Sequence, residues 1–175
     1  IGVAGLLVML GAGLAWGQAT STAPAVVGGV TSDAGEALFA QAMRCQLGTG
    51  ADIDLPKSLT LLKQAAAAGS TRAMDRLGDM YRDADGGVKK DNVEALARDQ
   101  READAGGAWG WLCVAEMEQE GWGTPVNAAK AAAATAKGLE QVRRLAKAGD
   151  SDGMDVLGWC YLGGMGVNRD LGVAI

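Results

Sequence analysis

The 175-residue chain contains no histidine. That absence removes Ser–His and Cys–His nucleophile pairs, histidine general bases and histidine metal ligands. Cysteine is scarce: Cys45, Cys113 and Cys160 stand far apart, so no CxxC redox motif or paired metal ligand can be read. No basic run exceeds two residues (Lys89-Lys90, Arg143-Arg144), and the net charge is −5. A nucleic-acid surface needs a clustered basic footprint, so that class is excluded. Aromatics are few: five Trp, two Tyr and one Phe. What remains is rich in Ala and Gly, a composition suited to helices packed closely in layers. With 49% hydrophobic and 21% charged residues, the chain is globular rather than disordered.

The first 19 residues, IGVAGLLVMLGAGLAWGQA, are apolar and uncharged, and end on small residues. Gly17-Gln18-Ala19 fits a small-x-small cleavage site, with Ala23-Pro24-Ala25 as a second choice. The apolar run is shorter than the roughly 20 residues of a membrane span. Residues 1–19 are therefore expected to be a partial, cleaved secretion signal that lacks its basic start, the alternative being a retained anchor. Residues 20–33 follow as a flexible Ser/Thr/Gly linker. These readings predict a periplasmic or secreted protein with no stable membrane insertion after cleavage.

The rest of the chain repeats itself. Met74-Asp75, Leu77-Gly78 and Tyr81 return 80 residues later as Met154-Asp155, Leu157-Gly158 and Tyr161. Gly87-Val88, Asp91 and Ala95 return 79 residues later as Gly166-Val167, Asp170 and Ala174. A repeating chain is read first as an array. Ala73, Met74, Leu77, Gly78 and Tyr81 share one helical face. Gly78 inside that helix predicts a close crossing that admits no side chain, since glycine costs roughly 1 kcal/mol there against alanine. Each first helix leads through a Gly-rich turn to an Asp or Asn. From there, Asp54 to Gly69, Asp91 to Gly106 and Asn127 to Gly149 span Ala-rich second helices. Asp and Asn are good N-caps, and Gly tolerates the left-handed conformation that ends a helix. The expected units are 34–69, 70–106, 107–149 and 150–175, the last incomplete. Two helices per unit predict an all-α solenoid.

The stretch AMDRLGDMYRDADGGVKKDNVEALARDQREADAG closely resembles the Sel-one-like repeat, a relative of the tetratricopeptide repeat. GMDVLGWCYLGGMGVNRDLGVA resembles its first two-thirds, and residues 36–69 and 107–149 fit it more loosely, with Glu118 in the place of Tyr81 and Tyr161. The resemblance implies a right-handed α/α superhelix of antiparallel helix pairs. It also implies a scaffold without chemistry or cofactor that binds a protein or peptide in its concave groove. Some secreted members are cysteine-rich and linked to β-lactams, which makes a β-lactam- or peptidoglycan-interacting enzyme the alternative. Here the paired cysteines and any Ser-x-x-Lys motif are missing.

Site candidates follow from this register. Asp83, Asp85 and Glu94 fall at EF-hand-like spacing, but Val88 occupies the glycine position and two lysines interrupt the loop, so a plain repeat turn explains them. Cys113 and Cys160 both lie on first helices, as buried free thiols or as a bridge. Trp111 aligns with Met74 and is expected in the core. Trp109 aligns with Arg72, and Trp159 with Asp79, positions that face the inner groove in the resembling repeats. The candidate partner-binding residues are Arg72, Asp75, Asp79, Arg82, Trp109, Asp155 and Trp159, with Asp152 beside them. Met154, Leu157, Gly158 and Tyr161 are expected to supply the packed face of the last helix. The competing reading packs the two tryptophans against neighbouring repeats and leaves the charges as a solvated face.

Overall fold

The computed structural model describes residues 32–50, 52–170 and 172. The expected signal and most of the expected linker lie outside the described residues. Seven helices follow in order: α1 (Asp33–Leu47), α2 (Leu55–Ala67), α3 (Thr71–Asp83), α4 (Asn92–Ala105), α5 (Gly110–Glu120), α6 (Ala128–Lys147) and α7 (Ser151–Gly163). Among the described residues there is no strand. α1 packs on α2, α3 on α4 and α5 on α6, and each pair packs on the next, so the chain is an α/α solenoid.

Local chemistry accounts for the element ends. The second helices start where Asp54, Asp91 and Asn127 accept backbone N–H bonds from Lys57, Val93 and Glu94, and Lys130. Ser32, Ser70 and Asp150 cap α1, α3 and α7 in the same way. First helices stop on left-handed glycines Gly48, Gly121 and Gly164; α3 stops instead on Ala84, at φ 58°, where a Cβ costs about 1 kcal/mol.

One backbone clamp recurs in every turn from a first helix. The N–H of Asp54, Asp91, Asn127 and Asp170 donates to the carbonyl of Cys45, Tyr81, Glu118 and Tyr161, at 2.8–3.0 Å. These four carbonyls define equivalent positions along the array. They explain how Glu118 replaces tyrosine without disturbing the turn, because the clamp uses only the main chain.

Leu62, Ala65, Leu77 and Met80 belong to one buried cluster, and Leu112, Leu139, Val142, Val156 and Cys160 to another. Gly78 is a close contact, as expected. Its neighbour is the carboxylate of Asp99 on α4, which would collide with a Cβ.

The last helix departs from expectation. α7 buries Gly153, Val156 and Cys160, whereas Met154 is 50% exposed and Leu157, Gly158 and Tyr161 are only half-buried. α3 is buried on two sides, towards α1 and α2 and, through Gly78, towards α4. Among the described residues, no second helix of its own unit packs on α7. Trp111 is half-buried: it packs beside Val114, Ala115 and Ala134, and the Lys137 ammonium lies 4.2 Å from a ring centroid. Cys45, Cys113 and Cys160 are free thiols, so Cys113 and Cys160 are not bridged. Burial pushes the thiols of Cys113 and Cys160 up.

Candidate functional site

Counting nine residues back from each clamp carbonyl gives Glu36, Arg72, Trp109 and Asp152. The solenoid brings these equivalent positions together. Arg72 reaches Glu36 at 3.7 Å and Asp152 at 3.9 Å, and its guanidinium lies 5.0 Å from the centroid of Phe39. A cavity of about 250 Å³ opens beside it, lined among others by Arg72, Asp75, Glu102, Trp109, Asp152 and Asp155. A neighbouring hollow of about 230 Å³ shares Arg72 and Asp152 and adds Glu36.

Four of the seven residues singled out in the sequence (Arg72, Asp75, Trp109 and Asp155) therefore line one cavity. The other three do not. Asp79 and Arg82 lie one to two turns further along α3 and form an ion pair with each other. Arg82 also turns inward to Asp99, at 3.3 Å, and its side chain is only 14% exposed. Trp159 is 55% exposed, in line with a solvent-facing ring, and stands one turn after Asp155 on α7. Trp109 is half-buried, packing against the Leu112–Val142–Val156 cluster. Trp109 thus packs on that cluster and also borders the cavity.

Sequence reasoning missed the buried acids. Asp99 and Glu102 are almost wholly enclosed, on the same stripe of α4 as Ala95 and Ala103. A signal existed, since acids at i+4 and i+7 from Ala95 sit in core register. Glu102 has a local task. α5 has no side-chain cap of its own, and Glu102 Oε1 accepts the N–H of Trp109 at 3.1 Å. Burial pushes the Glu102 carboxyl well above its ordinary range, and the Asp75 charge adds to this. Burial, with Asp79 beside it, raises Asp75 to about 6.

Two of the three EF-hand-like acids are engaged internally. Asp85 pairs with Arg76 and takes the N–H of Gly86, while Glu94 pairs with Arg98. Among the described residues no helix is long and apolar enough to cross a membrane.

The Sel1 repeat model matches residues 35–70, 71–97, 111–133 and 151–175. A Sel1 repeat protein from Oxalobacter formigenes is 26% identical, with a TM-score of 0.58 over 80% of this chain and 54% of that one. The c5321 protein of uropathogenic Escherichia coli, a protective antigen displaying an SLR fold, is 22% identical, with a TM-score of 0.55 over 80% of this chain and 36% of that one. Cysteine rich protein B of Helicobacter pylori is 22% identical, with a TM-score of 0.51 over 65% of this chain and 92% of that one. The two likenesses at 22% bear on the fold alone. No curated protein matches the chain.

Proposed function

Since the chain belongs to the Sel1 repeat family, we propose that it is a periplasmic or secreted scaffold that binds a protein or peptide along the groove lined by its first helices. One observation carries this reading. Equivalent positions of four units, Glu36, Arg72, Trp109 and Asp152, gather around two adjoining hollows. A solenoid presents such rows as a continuous surface whose side chains change from unit to unit. Further rows continue it, with Asp75 and Asp155 in one, and Asp79 and Trp159 in the next. The apolar, uncharged start of the chain supports export.

Site-specific photo-cross-linking tests the surface. A photoreactive residue at Asp79 or Trp159 is expected to capture a partner in an envelope extract, whereas one at Lys130 or Glu140, exposed on α6, is not. Equal capture from both faces would remove the groove from the proposal. Trp159→Ala is expected to weaken binding of the captured partner by ~2 kcal/mol or more, as interface tryptophans do. Its folding stability should change by no more than ~0.5 kcal/mol, as for other exposed sites. A large loss of stability with unchanged affinity would return Trp159 to a packing role.

A further inference from the structure

The geometry points to the cavity beside Trp109 as a seat for one basic side chain, arginine or lysine, of the bound peptide. This rests on the scaffold reading and adds the chemistry of what the groove takes. Four carboxylates border the cavity, on Asp75, Glu102, Asp152 and Asp155, against two guanidinium groups, on Arg72 and Arg76. Both guanidinium groups already have partners. Arg72 lies between Glu36 and Asp152 with its plane by Phe39. Arg76 holds Asp85 and donates to Gln46. Among the described residues, Asp75, Glu102 and Asp155 have no ion pair within 4 Å.

Glu102 is the decisive residue. It is 2% exposed, and its Oε1 is used by the Trp109 N–H, yet Oε2 is buried with no hydrogen-bond partner among the described residues. Capping α5 accounts for one oxygen and leaves the other without a partner, on a residue that lines the cavity. Buried acceptors are nearly always satisfied, and a buried carboxylate is satisfied best by a cationic donor. Trp109 lines the same space, and an indole is a good partner for such a cation. The described residues already make this kind of contact twice, with Arg72 over Phe39 and Lys137 over Trp111. Burial chiefly raises the Asp75 and Glu102 carboxyls, with neighbouring acids adding to it, and a cation entering here would oppose that rise.

The test follows the backbone amides of Trp109 and Gly110 by NMR while the chain is titrated with the capped pentapeptide Gly-Ser-Arg-Ser-Gly. The lysine and citrulline versions run in parallel. The charged peptides are expected to shift both amides saturably, and the neutral citrulline peptide to bind about tenfold more weakly. Glu102→Gln keeps an oxygen for the Trp109 N–H and should weaken the arginine peptide by about tenfold. Asp155→Asn, at an exposed site that leaves the fold intact, should weaken it less and decides the matter if Glu102→Gln unfolds. The proposal is overturned by equal binding of the arginine and citrulline peptides, by full affinity in both variants, or by no saturable shift up to about 10 mM. Cross-linking of a partner from Asp79 or Trp159 alongside any of these results would sink the cation seat and leave the scaffold reading standing. Charge-selective peptide binding without such cross-linking would do the reverse.

Discussion

Asp99 is wholly enclosed, and burial lifts its carboxyl to about 7. Arg82 opposes that rise from α3, while Asp75 and Asp79 on α3 and Glu116 on α5 reinforce it. Asp75 is raised to about 6, again chiefly by burial. An acid whose folded pKa exceeds its unfolded one holds its proton more tightly in the folded state. Its contribution to stability is complete below the unfolded value of 3.8 and is lost as pH rises through the folded value. Stability should therefore fall between about pH 4 and pH 7, with Asp99 alone contributing a slope of up to ~1.4 kcal/mol per pH unit. Denaturant titrations at pH 5 and pH 8 check this, and Asp99→Asn should flatten the difference. A chain more stable at pH 8 than at pH 5 would show that the Arg82 pair, not burial, governs Asp99.

Between helices the decisive feature is a small residue near the start of each first helix: Gly35, Ala73, Gly110 and Gly153. At Gly110 and Gly153 the new helix passes against the end of the preceding second helix, whereas Gly35 meets the end of α2, the second helix of its own unit. A Cβ on Gly110 would lie 2.6 Å from the Cα of Ala103, and one on Gly153 would lie 2.9 Å from the N of Ala146. The obstacle is backbone, which cannot turn aside as a side chain can. Gly110→Ala should cost ~1–3 kcal/mol despite alanine's better helix propensity, because overpacking outweighs it. Thermal unfolding of the variant measures this, and a gain in melting temperature would mean the crossing is looser than it looks. The same scale shows what the sequence makes legible. The caps Asp54, Asp91 and Asn127 and the ends Gly69, Gly106 and Gly149 could be read because they act on their own neighbouring backbone. Glu102 and Asp99 stand in core register, yet that signal was too weak to read as burial, because acids go to solvent unless the partners across the crossing are known. Those partners, the N–H of Trp109 and the guanidinium of Arg82, belong to other helices. Of the cavity, the row positions were therefore legible and its buried floor was not.

Across the whole molecule the same residue can hold different roles in different units, because an array stabilises each helix only through its neighbours. Met74 and Met154 are the sharpest pair. They occupy the same place in the repeat, yet Met74 is 9% exposed and Met154 is 50% exposed. α3 lies between α1 and α2 on one side and α4 on the other, while α7 packs chiefly on α6. This is why aligning α7 on α3 misjudged its packed face: the alignment carries over the residue but not the helix that covers it. The difference is measurable. Met74→Ala should cost ~2–5 kcal/mol, as removing a buried methionine does. Met154→Ala should stay within ~0.5 kcal/mol, as at an exposed site. Amide exchange should follow the same order, with α7 opening at lower free energy than α3, since local stability tracks buried contacts. Equal losses from the two substitutions would mean that something covers the Met154 side of α7 in solution. The site of that cover would then be sought on the exposed stripe of Asp155, Trp159 and Leu162, which continues the cavity row along the helix.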